Sequence, residues 1–186
     1  MNQIYKQFEK TKLKRKDINN LYILIMIISG IFGFLYEEIF YFIDLGYFTK
    51  RGSSYGPWIP IYAIGGLLIT IITYRYKNKP IIIFLLSTVI TGVLEYMTGY
   101  VLLECFHTRL WDYNIEILNY GNINGFICLR SVLFFGLSSL FLIYIIIPSL
   151  IKLIKKGNQI VLNKICITVF FLFLLDIIIY LIINHI

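Results

Sequence analysis

The sequence predicts an all-α polytopic membrane protein, a compact bundle of about five transmembrane helices. Three observations predict it. Of the 186 residues, 59% are hydrophobic and only 15% are charged, too few to coat a soluble domain of this length. The apolar residues fall in runs of about 20, the number that crosses a hydrocarbon core as helix. They do not alternate with polar residues, as the strands of a membrane barrel would.

The first run extends from about Leu21 to Ile43 and follows a basic segment, residues 1–20, read as a cytoplasmic N-terminal segment; residues 21–186 form one helical membrane domain. This run is not a signal peptide. It exceeds an h-region of about 7–15 residues, carries Glu37 and Glu38, and lacks a small-x-small cleavage site. The second run spans about Pro57 to Tyr74, with Gly56 and Pro57 turning the chain and proline tolerated in the first helical turn. The third spans about Pro80 to Leu103, the fourth about Asn122 to Ile147, and the fifth runs from Ile165 to the C-terminus.

The formal net charge of +7 suggests nucleic acid only until the cations are placed, and no nucleic-acid partner is expected. Lys6, Lys10, Lys12, Lys14, Arg15 and Lys16 precede the first run; Arg75, Lys77 and Lys79 follow the second; Lys152, Lys155, Lys156 and Lys164 follow the fourth. The other side of the membrane holds Lys50, Arg51 and Arg109. The asymmetry places the N-terminus in the cytoplasm and the C-terminus outside. No G-x-x-x-x-G-K-[ST] occurs, so the chain carries no P-loop of its own. Cys105, Cys128 and Cys166 fit no metal spacing, and neither a metal nor another cofactor is expected.

The informative residues are charges placed where lipid makes them costly, about 2.5–3.5 kcal/mol each at a helix centre. Glu37 lies ~24 Å along the first helix, Glu95 ~21 Å along the third, and Arg130 about 8–12 Å below the outer end of the fourth. All three then fall in the outer leaflet. Thr88, Thr91, Gly92, Glu95, Thr98 and Gly99 form one small, polar stripe at helical spacing, and Gly30, Gly33 and Glu37 form another. The two glutamate faces are expected to meet, with Arg130 between them, either as a structural ion-pair network or as a polar site.

The external loops bring Arg51, Gly56, Trp58, Trp111, Asp112 and Tyr113 to the same level. The Glu37–Arg51 spacing recurs as Glu95–Arg109, a faint sign of two parallel hairpins. Trp58, Trp111 and Tyr113 also suit the membrane interface without any further role. Asp176, within FLFLLDIIIYLI, has no polar stripe around it and no evident partner. Asp44 and Glu38 read as solvated, and His185 as an uninformative terminal residue.

Gly33-Phe-Leu-Tyr-Glu37, Arg51-Gly52, Gly56-Pro57-Trp58, Pro60-Ile61-Tyr62, Glu95, Trp111-Asp112-Tyr113 and Asn122-x-x-Gly125-x-Ile127-Cys128-Leu129 occur in this order. Taken together they resemble the bacterial family called Putative ABC-transporter type IV, over about residues 29–140. The chain departs from that pattern at Lys50, Ala63, Leu110 and Phe135. The resemblance implies a permease of the bacterial cytoplasmic membrane that works with a separate ATPase subunit. The charges cluster in one leaflet and no cytoplasmic loop offers an obvious coupling helix; a homo-oligomer would meet both difficulties.

Three functions follow as expectations. The first is a transport component whose outer site, built from Glu37, Arg51, Gly56, Pro57, Trp58, Glu95, Trp111, Asp112, Tyr113, Asn122 and Arg130, binds a polar or charged solute. The second is a membrane enzyme acting on a lipid head group or envelope precursor at the outer face, although no specific catalytic spacing supports it. The third is a non-catalytic membrane factor that binds a partner through its external aromatics.

Overall fold

The computed structural model describes residues 7–184. Lys6 and His185, named above, lie outside the described residues. Among the described residues there are five long helices: α1 (Arg15–Leu45), α2 (Pro60–Thr73), α3 (Pro80–Phe106), α4 (Leu129–Lys156) and α5 (Gln159–Ile183). All but α2 are long and apolar enough to cross a membrane. No strand occurs among the described residues.

Local chemistry sets the boundaries. The Asp17 carboxylate accepts the Lys14 amide at the start of α1, and Gly46 ends that helix at φ +80°, a left-handed conformation that costs glycine little. Pro60 and Pro80 open α2 and α3 in the first turn, where their missing N–H is not needed. Asn158 caps α5 by accepting the amides of Ile160 and Val161 at 3.0 and 3.3 Å. The fifth helix therefore begins at Gln159, a full turn and more before Ile165.

Two further expectations are corrected. Pro60, not Pro57, starts the second helix, because residues 47–59 stay non-helical and descend into the bundle. The amide of Ile59 donates to the Gly30 carbonyl at 3.0 Å, which lies ~22 Å below the C-terminal end of α1. The loop is thus re-entrant, and α2 has only 14 residues because the loop has already covered part of the depth. The fourth helix starts at Leu129 instead of Asn122 and continues to Lys156. Residues 107–128 form a second inward-folded loop, in which Phe126 packs against Gly99 of α3 so closely that an added Cβ would sit 2.8 Å from its ring. Arg130 is accordingly in the first turn of α4 and not deep within a span.

Two long helices therefore overtop two that begin lower, and a loop fills each step. α1 packs on α2, α2 on α3 and α3 on α4, while the lower part of α4 returns to α1; α5 packs on α1. Small residues allow the close approaches: Gly33 accepts the Tyr62 ring, Gly66 accepts Ser29, and Gly136 accepts Thr88 and Phe84. The apolar core lies at the end bearing the basic loops, where Phe8 stacks on Tyr74 at 4.3 Å beside Leu21, Ile25, Ile83 and Ile147. Within α4, Leu142–Ile146 is a π-helical segment. Pro148 accounts for it: a proline cannot donate to the carbonyl four residues back, and a wider turn relieves its ring's clash there.

Candidate functional site

The polar site forms at the other end of the bundle, where the two re-entrant loops meet the upper turns of α1 and α3. Glu37 is one turn above Gly33, on the face of α1 that packs on α2. Its carboxylate lies 3.5 Å from Arg51 of the first loop. The Arg51 amide donates to Glu38 at 3.2 Å, and its guanidinium stacks on the Tyr41 ring at 3.6 Å. Glu38 is thus a partner of the loop and not merely solvated.

Glu95 is buried on the small-residue face of α3. One carboxylate oxygen accepts the Tyr113 hydroxyl at 2.7 Å and the other accepts the Ser131 hydroxyl at 2.9 Å. Arg130 does not stand between Glu37 and Glu95. It pairs at 2.5 Å with Glu116, whose other oxygen accepts the Tyr41 hydroxyl, and it stacks on Phe40 at 3.7 Å. Glu37, Glu95, Glu116 and Arg130 line one small chamber with Tyr62 and Trp111.

The second loop is a scaffold for this chamber. Asp112 pairs with Arg109 at 2.8 Å and accepts the Asn114 amide at 3.0 Å. Asn122 donates to the Asn114 side chain at 2.7 Å and accepts the Gly125 amide at 2.9 Å. Gly125, at φ +75°, leaves no room for a Cβ among Asp112, Asn114 and Arg109. Trp111 donates its indole N–H to the Phe126 carbonyl at 2.9 Å, which turns its ring toward the chamber. Arg109 is taken by Asp112, so the Glu–Arg pairing of the first hairpin is not repeated in the second.

Outside the spanning helices, environment separates the acids. Burial pushes the Glu116 carboxyl above the ordinary carboxylate range, with Tyr41 and Arg130 opposing it. Burial also raises the Tyr113 phenol well above its usual value, and Glu95 adds to that, so Tyr113 remains a donor. For Asp112, burial works upward but is outweighed by the Asn114 and Arg109 hydrogen bonds, which hold the carboxyl low.

Gly56, Pro57 and Trp58 do not line this chamber. They lie across α1, against α5, and they supply the partner that Asp176 lacked in sequence. Asp176 accepts the backbone amides of Tyr55 and Gly56 at 3.0 and 2.9 Å and the Trp58 indole N–H at 2.7 Å. Trp58 is partly buried against Phe173 and is not an exposed interface anchor. Non-helical backbone at membrane depth needs internal acceptors, because no water is there to supply them. Asp176 provides them for the first loop.

Tyr41, Glu116 and Ser131 were missed from sequence. No sequence signal marked Glu116: its neighbours are both isoleucines, and only the structure shows Ile115 84% exposed and Ile117 42% exposed while the acid between them turns inward.

A family model described as Putative ABC-transporter type IV matches residues 24–181, extending past the motif-bearing region to include Asp176 and most of α5. No curated protein and no solved structure matches the chain. With the re-entrant loops, the chamber's glutamates and most of the helical bundle falling inside the matched region, the chain belongs to the Putative ABC-transporter type IV family.

Proposed function

We propose that this multi-pass protein is the membrane-embedded component of a transporter driven by a separate ATPase, and that its polar chamber faces outward and receives a polar or charged solute. The observation that carries this reading is the convergence of Glu37, Glu95, Glu116 and Arg130 on one chamber inside the bundle. Ionisable side chains facing the interior of a membrane bundle are costly to place there and commonly line substrate or ion pathways. Below the chamber, Tyr62 and Phe135, 4.9 Å apart, separate it from a second cavity of about 60 Å³ lined by Ser29, Gly66, Ser138 and Leu142. Those two rings stand where a gate between the leaflets would be.

The transport reading is preferred to catalysis because the matching family is described as a transporter type; the Tyr113 and Ser131 hydroxyls fix the Glu95 carboxylate at the chamber wall. An ATPase subunit is expected to co-purify in mild detergent; its absence across several detergents counts against the transporter assignment. Glu95→Gln is expected to reduce solute uptake by about tenfold or more while the protein still accumulates, since a neutral amide keeps the shape but loses the charge.

Orientation is part of the proposal. Cys105 is exposed near the loop end, and Lys152 is exposed at the basic end. A membrane-impermeant thiol reagent should label Cys105 in intact cells. It should label Lys152→Cys, in a Cys105→Ser chain, only after permeabilisation. The opposite pattern overturns the outward-facing site.

A further inference from the structure

A further cavity adjoins the same site. It measures about 220 Å³ and runs between α2, α3 and α5, with Ile64, Leu94, Leu102, Ile177 and Leu181 on its walls. α5 packs on α1 and makes no comparable contact with α3, so the groove is open sideways. Its polar end is formed by Glu37, Arg51, Gly52 and Ser53 of the first hairpin. Another cavity, of about 320 Å³, reaches Arg51 from the loop end, between Asp44, Arg109 and Asp112. Arg51 therefore stands where an apolar lateral groove meets a polar vestibule.

The state of Arg51 is informative. Its Nε is buried without a hydrogen-bond acceptor, and the nearest carboxylate oxygen is 3.5 Å away. One face of the guanidinium is covered by the Tyr41 ring at 3.6 Å. A stacked guanidinium presents its N–H donors at its edge, in the plane that suits a phosphate. Its depth is also suitable. α1 has 31 residues, ~46 Å of helix against a core of ~30 Å, so its last turns rise above the hydrocarbon and the level of Glu37 and Arg51 falls near the head groups.

We propose that the ligand of this site is a phosphate-headed amphiphile, its head group held by the edge of Arg51 and its acyl chain lying in the groove between α2, α3 and α5. This rests on reading the loop-end chamber as a ligand site, and it narrows the ligand from a polar solute to a lipid that enters sideways. Arg51 is a binding residue here, and Glu37 is the group that holds it when no ligand is present.

The test uses the full chain reconstituted in vesicles of digalactosyldiacylglycerol, a bilayer lipid without phosphate, with brominated acyl chains on the guest lipids as quenchers. Trp111 lines the groove, and Trp58→Phe leaves it as the only tryptophan. Brominated phosphatidylglycerol should quench Trp111 at about tenfold lower mole fraction than brominated diacylglycerol, a difference that one charge-assisted contact can supply. Arg51→Gln should remove that preference, and free glycerol phosphate should not compete. Mass spectrometry of the unmodified chain with bound lipid gives the same comparison without the tryptophan substitution. Equal quenching by the two lipids, or a preference that survives Arg51→Gln, overturns the inference. Saturable binding of glycerol phosphate with no lipid preference also overturns it but leaves the solute reading standing, whereas failure of ATPase co-purification bears on the transporter assignment and not on lipid binding.

Discussion

Arg130→Ala is expected to destabilise the protein by about 3–5 kcal/mol, the range for removing one partner of a buried ion pair. The side chains of Arg130 and Glu116 are 15% and 4% accessible and 2.5 Å apart. Without the guanidinium, Glu116 retains the Tyr41 hydroxyl but loses its paired countercharge and keeps only the more distant Arg51. The cost arises from the carboxylate that is left behind and not from a large attraction in the intact pair. The double substitution Arg130→Met with Glu116→Met should therefore recover most of the loss, since two well-packed apolar groups can replace a buried pair at little cost. Thermal unfolding of the purified chains in detergent, followed by circular dichroism, would measure both. A single variant as stable as the unmodified chain would show that the pair carries no such burden.

The second large effect is expected at Asp176. Asp176→Ala removes three hydrogen bonds to residues 55–58, two of them to backbone amides, and should cost about 2–4 kcal/mol. Asp176→Asn should cost less, because an amide oxygen still accepts. Loop and global effects can be separated by fluorescence. In a Trp111→Phe chain, Trp58 emission should shift to the red in Asp176→Ala, as the indole loses its partner and leaves Phe173. An unshifted spectrum with unchanged stability would mean that the loop holds its depth without α5. Because Arg51 lies on the same loop, this variant is also expected to weaken any ligand contact made by Arg51.

The helices and the charged face were legible because both have a large energetic signature. Runs of apolar residues announce the spans, and Glu37 and Glu95 at small-residue spacing announce an inward face. The same logic set Arg51 facing Glu37, Glu95 or Asp112 without choosing among them, and the structure gives it Glu37. What was not legible depends on contacts between distant parts of the chain. The depth of the first loop is set by Ile59 bonding to Gly30 and by Asp176, which is 118 positions from Trp58. No periodicity encodes such a contact. Glu116 was hidden for a different reason: in the loop folded back onto the bundle, the isoleucines turn outward and the acid turns inward, reversing the rule that reads acids in loops as solvated. Arg130 was placed too deep because the apolar run beginning near Asn122 includes a folded loop before the helix starts at Leu129.

The wide turn in α4 has a geometric consequence. Ser131, Phe135, Ser139, Ile143 and Ile147 are all buried and follow one another at intervals of four. On an uninterrupted α-helix, at ~100° per residue, that series would wind about 160° around the rod, turning its last member almost to the opposite side. One extra residue accommodated in the π turn at Leu142–Ile146 takes back about 100° of this drift. The segment before Pro148 thus acts as a phase correction, keeping a single seam of α4 in register with its neighbours from the polar chamber down to the apolar core.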